Sequence, residues 1–122
     1  MSEYTKQLLI AVPEGYLEEA NHLILLLGGT PENIKTLSGL RWRGGAYRYA
    51  VANMQVKPSF VAALTGDLPD DPQEVAVGYD RMHAELAHSM IGVEGGIRFA
   101  SNVDMETQLV EWGIKRMPRR EL

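Results

Sequence analysis

The chain contains no cysteine, which removes disulfides, thiolate metal sites and thiol nucleophiles together and suits a reducing compartment. Long apolar runs are also missing. The longest aliphatic stretch, "LILLL" at 23–27, is far below the ~20 residues that cross a bilayer as a helix. The start "MSEYTKQLLIAV" is acidic first, and its apolar run is too short for a secretory leader. A soluble, cytoplasmic protein with no membrane partner is therefore expected. A basic excess is lacking too: net charge is −4 and the isoelectric point is near 5.3, which argues against nucleic acid as a partner. The glycine pairs at 28–29, 44–45 and 95–96 have neither the GxGxxG nor the GxxxxGK[ST] spacing that aims backbone N–H groups at phosphate. Neither GxSxG nor HExxH occurs. No cofactor is expected.

What is present reads as one domain. A chain of 122 residues has room for one hydrophobic core, which we assign to residues 1–116, with "MPRREL" at 117–122 as a basic flexible tail. Acid is concentrated in the second half, an asymmetry that suits self-association as well as solubility. "TKQLLIAV" (5–12), ended by Pro13, predicts a buried strand. Tyr16, Leu17, Ala20, Leu23, Ile24 and Leu27 then recur at three- and four-residue steps, the spacing of a helix with one apolar face. Gly28–Gly29 stops that helix, and Thr30 with Pro31 starts a short one. Asp71, Pro72 and Glu74 form a helix start, and Val75, Tyr79, Met82, Leu86 and Met90 form the core stripe of the helix that follows. "IRFAS" suits a short strand. Residues 105–116 fit either state: Val110, Trp112 and Ile114 alternate as in a strand, and Met105, Leu109 and Trp112 are spaced as in a helix.

The stretch "RWRGGAYRYAV" (41–51) predicts a hairpin with Gly44–Gly45 as a two-residue turn. That register sets Trp42 opposite Tyr47, Leu40 opposite Tyr49 and Arg41 opposite Arg48. The aromatics then share a buried face, and Arg41, Arg43 and Arg48 share the other as candidates for holding an anion. Ala50, Ala52, Met54 and Val56 continue the arginine face as an apolar row and are candidate contacts of a homodimer. The element order βαββαβ is that of a ferredoxin-like α+β sandwich, an antiparallel sheet with helices on one face.

Two Glu-x-x-His pairs, Glu19–His22 and Glu85–His88, have the spacing used by di-iron helix bundles. Both lie off the apolar stripes, so they read as exposed polar pairs and no metal is expected. His83 borders the core stripe. Imidazole suits acid–base work near neutrality, but no nucleophile or second acid lies nearby in sequence, and no catalytic residue is assigned.

"IAVPEGYLEEANHLILLLGGTPENIKT" and "YRYAVANMQVKP" resemble small uncharacterised proteins of bacterial and prophage genomes over about the first half of the chain. The resemblance implies an accessory or structural protein and carries no functional residue. The expected function is that of a non-enzymatic interaction or assembly protein, phage-derived in type and acting as a homo-oligomer. The competing reading is a small enzyme or small-molecule binder of the dimeric α+β barrel type. Its pocket would lie near His83, Trp42, Tyr47 and Tyr49.

Overall fold

A computed structural model describes residues 5–38, 41–69 and 78–115. Strand β1 (Lys6–Pro13) is its axis: Leu8 through Pro13 are all buried. Its even positions face one side of the sheet and its odd positions the other, so an unbroken apolar run needs cover on both faces. Helix α1 (Leu17–Leu26) follows and buries Ala20, Leu23, Ile24 and Leu26. At its end Gly28 takes a φ of +89°, and the Gly29 N–H donates to Ile24 O at 2.8 Å. A Cβ on Gly29 would collide with the Ile24 side chain and crowd the Phe60 ring.

Helix α2 (Pro31–Ser38) is started by a reciprocal cap. Asn33 N–H donates to Thr30 Oγ1 at 3.1 Å, and Thr30 N–H donates to Asn33 Oδ1 at 3.0 Å, which satisfies groups that a helix start otherwise leaves open. Asn33 Nδ2 also donates to Gln55 O at 3.2 Å, pinning α2 to the sheet. Strands β2 (Arg41–Gly45) and β3 (Tyr49–Val56) form the hairpin, and α3 (Pro58–Thr65) leaves β3 directly. Helix α4 (Arg81–Ser89), β4 (Arg98–Ser101), α5 (Met105–Trp112) and the two-residue β5 (Ile114–Lys115) complete the order. The fold is α+β, with an open antiparallel sheet ordered β4-β1-β3-β2 and β5 added beside β2.

The hairpin register departs from the expected one. Trp42 pairs with Ala50 rather than Tyr47, and Arg43 pairs with Tyr49. Gly44 and Gly45 are not the turn; they extend β2 and pair with β5. The partner of Trp42 thus moves by three positions, and an odd shift exchanges the faces of a strand. Trp42 now shares a face with Ala50, and Arg43 shares the other with Tyr49. Leu40 lies outside the described residues.

The expected dimer row is corrected for a different reason, the cover of its face by helices. Ala52, Met54 and Val56 lie with Leu8, Ile10 and Val12 on the inner face, packed with Leu23 and Ile24 of α1, Phe60 and Leu64 of α3, and Ala84 and Ala87 of α4. Ala50 is fully buried alongside them. These four residues are the chain's own core. The opposite face carries Leu9, Ala11, Tyr49 and Val51, covered by Leu109 of α5 and by Ile114. Helices therefore cover both faces, not one.

In α4 the expected core stripe is also displaced. Ala84 and Ala87 are buried, whereas Met82 and Leu86 are exposed. Small residues here let α4 lie close against α1, and the large ones turn outward. Tyr79 and Met90 still pack against the core. Asp71, Pro72, Glu74 and Val75, and the tail at 117–122, lie outside the described residues. The segment left open, 105–116, contains both states: a helix to Trp112, then Gly113 at φ +76°, then β5.

Two tests follow from this arrangement. Ala52→Asp places a carboxylate at a position 4% exposed beneath three helices; an unpaired buried charge costs several kcal/mol, and a loss of the cooperative thermal transition is expected. The second concerns Asp104, which caps α5 by accepting hydrogen bonds from the Thr107 hydroxyl at 2.7 Å and the Thr107 N–H at 3.0 Å. Those bonds, the hydroxyl first, hold its carboxyl below the ordinary 3.8. A depressed value stabilises the folded chain above the ordinary value and ceases to do so as pH falls through the folded one. Acid titration followed by Trp112 fluorescence is expected to show α5 loosening in that window, and Asp104→Ala to remove the effect.

Candidate functional site

Of the three arginines expected to share an anion, Arg43 and Arg48 do not share a surface. Arg43 is nearly fully buried, its side chain 5% exposed, and its guanidinium reaches Glu106 of α5 at 3.2 Å. Its Nε has no partner among the described residues. Arg48 is exposed: it bonds Glu14 at 3.1 Å and lies over the Trp42 ring, 4.9 Å from its centroid. The Arg41 backbone pairs with Val51, and its side chain lies outside the described part. Arg43 thus locks α5 onto the sheet, while Arg48 fastens the hairpin end to the turn after β1.

The aromatics are divided as well. Tyr49 is buried, Trp42 half-buried and Tyr47 exposed. The Tyr47 and Tyr49 rings meet edge to face with centroids 6.4 Å apart, a favoured aromatic geometry. The Tyr47 ring also lies over Gly95, where a Cβ would come within 2.9 Å of it. Gly95 therefore serves as the seat of an aromatic ring.

His83 is not in a pocket with these tyrosines. Its ring stacks on His22 of α1, with centroids 4.9 Å apart and planes 22° from parallel. Asp80 joins the two helices at this point. Its backbone N–H donates to His22 Nδ1 at 2.8 Å, and its Oδ1 accepts the Met82 N–H at 2.9 Å, capping α4. Because Nδ1 of His22 accepts, its proton sits on Nε2, directed toward Glu18 at 3.9 Å. His83 Nδ1 is 3.2 Å from Asp80 Oδ2 without the alignment of a hydrogen bond. Among the described residues no hydroxyl bonds to either ring. The Glu-x-x-His residues diverge: Glu85 bonds Arg81 at 3.0 Å, and the His88 ring contacts Gly66 O at 2.9 Å.

A cleft of about 600 Å³ opens elsewhere, between the end of α1, the starts of α2 and α3, and the end of β3. None of Trp42, Tyr47, Tyr49 or His83 lines it. Its residues were not legible as a site, because Lys57, Phe60 and Asp67 match no motif. The one signal was structural: two helix starts with proline in the first turn, Pro31 and Pro58, lie on either side of the hairpin.

The Arg43–Glu106 pair yields an asymmetric expectation. Glu106 is 65% exposed and Arg43 is not, so deleting the acid strands a buried charge, whereas replacing the arginine strands nothing. Glu106→Gln is expected to cost ~1–3 kcal/mol, and Arg43→Met to be neutral or stabilising, as when a buried ion pair is exchanged for an apolar side chain. Denaturant melts of both variants give the order.

Compared with known proteins, the chain matches no family model, no curated protein and no solved structure.

Proposed function

We propose that the chain is a non-enzymatic interaction protein acting as a homo-oligomer, and that its self-contact is the outer face of α4. The carrying observation is the inversion of that helix. Met82 is 77% and Leu86 45% exposed, one turn apart on the same side, while the residues turned inward are alanines. A surface helix ordinarily puts its large apolar residues inside. One that turns them out presents a row a second copy can cover. Two such helices packed antiparallel about a two-fold axis set Met82 of each against Leu86 of the other. The flanking Arg81–Glu85 pair, 3.0 Å apart, brings both signs of charge to the rim, and each sign then faces its opposite across the axis.

The reading is supported further by what the histidines do. His22 and His88 hold backbone groups of their own chain and His83 stacks on His22, which is structural work. We also read the architecture as an elaborated ferredoxin-like unit. The order β4-β1-β3-β2 with α1 between β1 and β2 and α4 before β4 supports it, with α2, α3, α5 and β5 as additions.

Light scattering at micromolar concentration is expected to give twice the chain mass. Leu86→Glu is expected to give the single-chain mass with the thermal midpoint retained. Val110→Glu, at a site 76% exposed on α5, is expected to leave the wild-type mass unchanged. A single-chain mass for the wild type, or an unchanged mass for Leu86→Glu, overturns the proposal.

A further inference from the structure

The cleft is independent of that contact and shares no residue with α4. At about 600 Å³ it falls within the ~300–1,000 Å³ typical of small-molecule sites. Its floor is apolar and built from the core: Leu26, Val56 and Phe60 are all buried. Ala63, one turn beyond Phe60, continues the same wall along α3. Gly29 also lines it, its backbone pressed against Ile24 and Phe60.

The charges at the mouth are arranged unusually. Lys57 stands at the start of α3 as its N-cap residue, with no side-chain cap bond and no acid in the first turn. Asp67 follows the C-cap residue Gly66, and the last turn holds no base. A helix start carries partial positive charge and a helix end partial negative charge, so α3 has a cation at its positive end and an anion at its negative end. Both placements disfavour the helix. Lys57 and Asp67 pair neither with each other nor with another described residue. Both line the cleft, one beyond each end of a helix of eight residues whose own length is about 12 Å at ~1.5 Å per residue. The wall is thus apolar in the middle and oppositely charged at its two ends.

We propose that this cleft binds a linear zwitterion with an apolar body. Its carboxylate lies at Lys57 and the start of α3, its body along Phe60 and Ala63, and its ammonium at Asp67. Two sources share this chemistry: an ω-amino acid, and a short apolar peptide with free ends. About three to four extended residues span such a wall at ~3.3 Å each. A ligand of this kind supplies the negative charge that the helix start lacks and the positive charge that its end lacks.

Titration calorimetry at neutral pH with ω-aminooctanoate, octanoate, octylammonium and the tripeptide Leu-Ala-Leu tests this. A zwitterion is expected to bind at one site and more tightly than either singly charged analogue. Lys57→Gln is expected to weaken the zwitterions and octanoate about threefold, the scale of one half-exposed ion pair, and to leave octylammonium unaffected. Asp67→Asn is expected to do the converse. Both residues are exposed, so neither change threatens the fold, and Ala63→Trp, which fills the cleft, is expected to abolish binding. The tripeptide binding more tightly than ω-aminooctanoate assigns the peptide source, and the reverse order assigns the amino acid. Failure of all four probes to bind at millimolar concentration overturns the proposal. So does a zwitterion no tighter than its singly charged analogues, or a pattern indifferent to Lys57 and Asp67.

Discussion

Burial of β1 on both faces is the constraint from which the rest of the architecture follows. Leu8, Ile10 and Val12 require cover from α1, α3 and α4, and Leu9 and Ala11 require cover from α5 and β5. Each buried aliphatic side chain contributes ~1.5–3 kcal/mol, so leaving either face open would sacrifice a large share of a small domain's net stability. The two faces are closed by different means. On the inner side packing is apolar throughout and tightened by alanines at the α1–α4 contact. On the outer side a short helix is added to a small cluster and held by the buried Arg43 reaching out to Glu106.

The pairing of β2 with β5 accounts for the placement of the hairpin turn. With Gly44 and Gly45 drawn into pairing with β5, the chain reverses at 46–48, and the odd register puts Arg43 beneath α5. The Gly-Gly rule concerns local turn geometry, whereas the choice here is made by a strand about seventy residues further along the chain. No local pattern contains that information. One odd slip exchanges the sides of Trp42 and Arg43 relative to β3. The row from Ala50 to Val56 keeps its own alternation, and what local patterning misses there is that helices cover both faces of the sheet.

Elements with strong local signals were legible. β1 showed its apolar run, α1 its three- and four-residue spacing and terminal glycines, and α2 its Thr30–Pro31 start. Segment 105–116 resisted assignment because it holds a helix and a strand joined at Gly113. In α4 the stripe of large residues was visible but misleading: close packing selected the alanines, and hydrophobicity alone does not weigh proximity to a neighbouring helix. Of the site, the residue types were visible and their company was not. His22 and Asp80 meet across 58 positions, and Lys57 and Asp67 acquire meaning only from the cavity between them.

The strand order has a consequence for how the molecule comes into being. β1 precedes both of its sheet neighbours, β3 and β4, and the Asp80 N–H at the start of α4 is held by a histidine of the much earlier α1. Nearly every stabilising contact of the first strand and helix is non-local, the class of topology that folds slowly for its size. During synthesis β1 emerges before both of its sheet neighbours, and its edge toward β4 stays open until residues 98–101 are made. The interval during which the first strand lacks its partners is therefore set by the order of the strands.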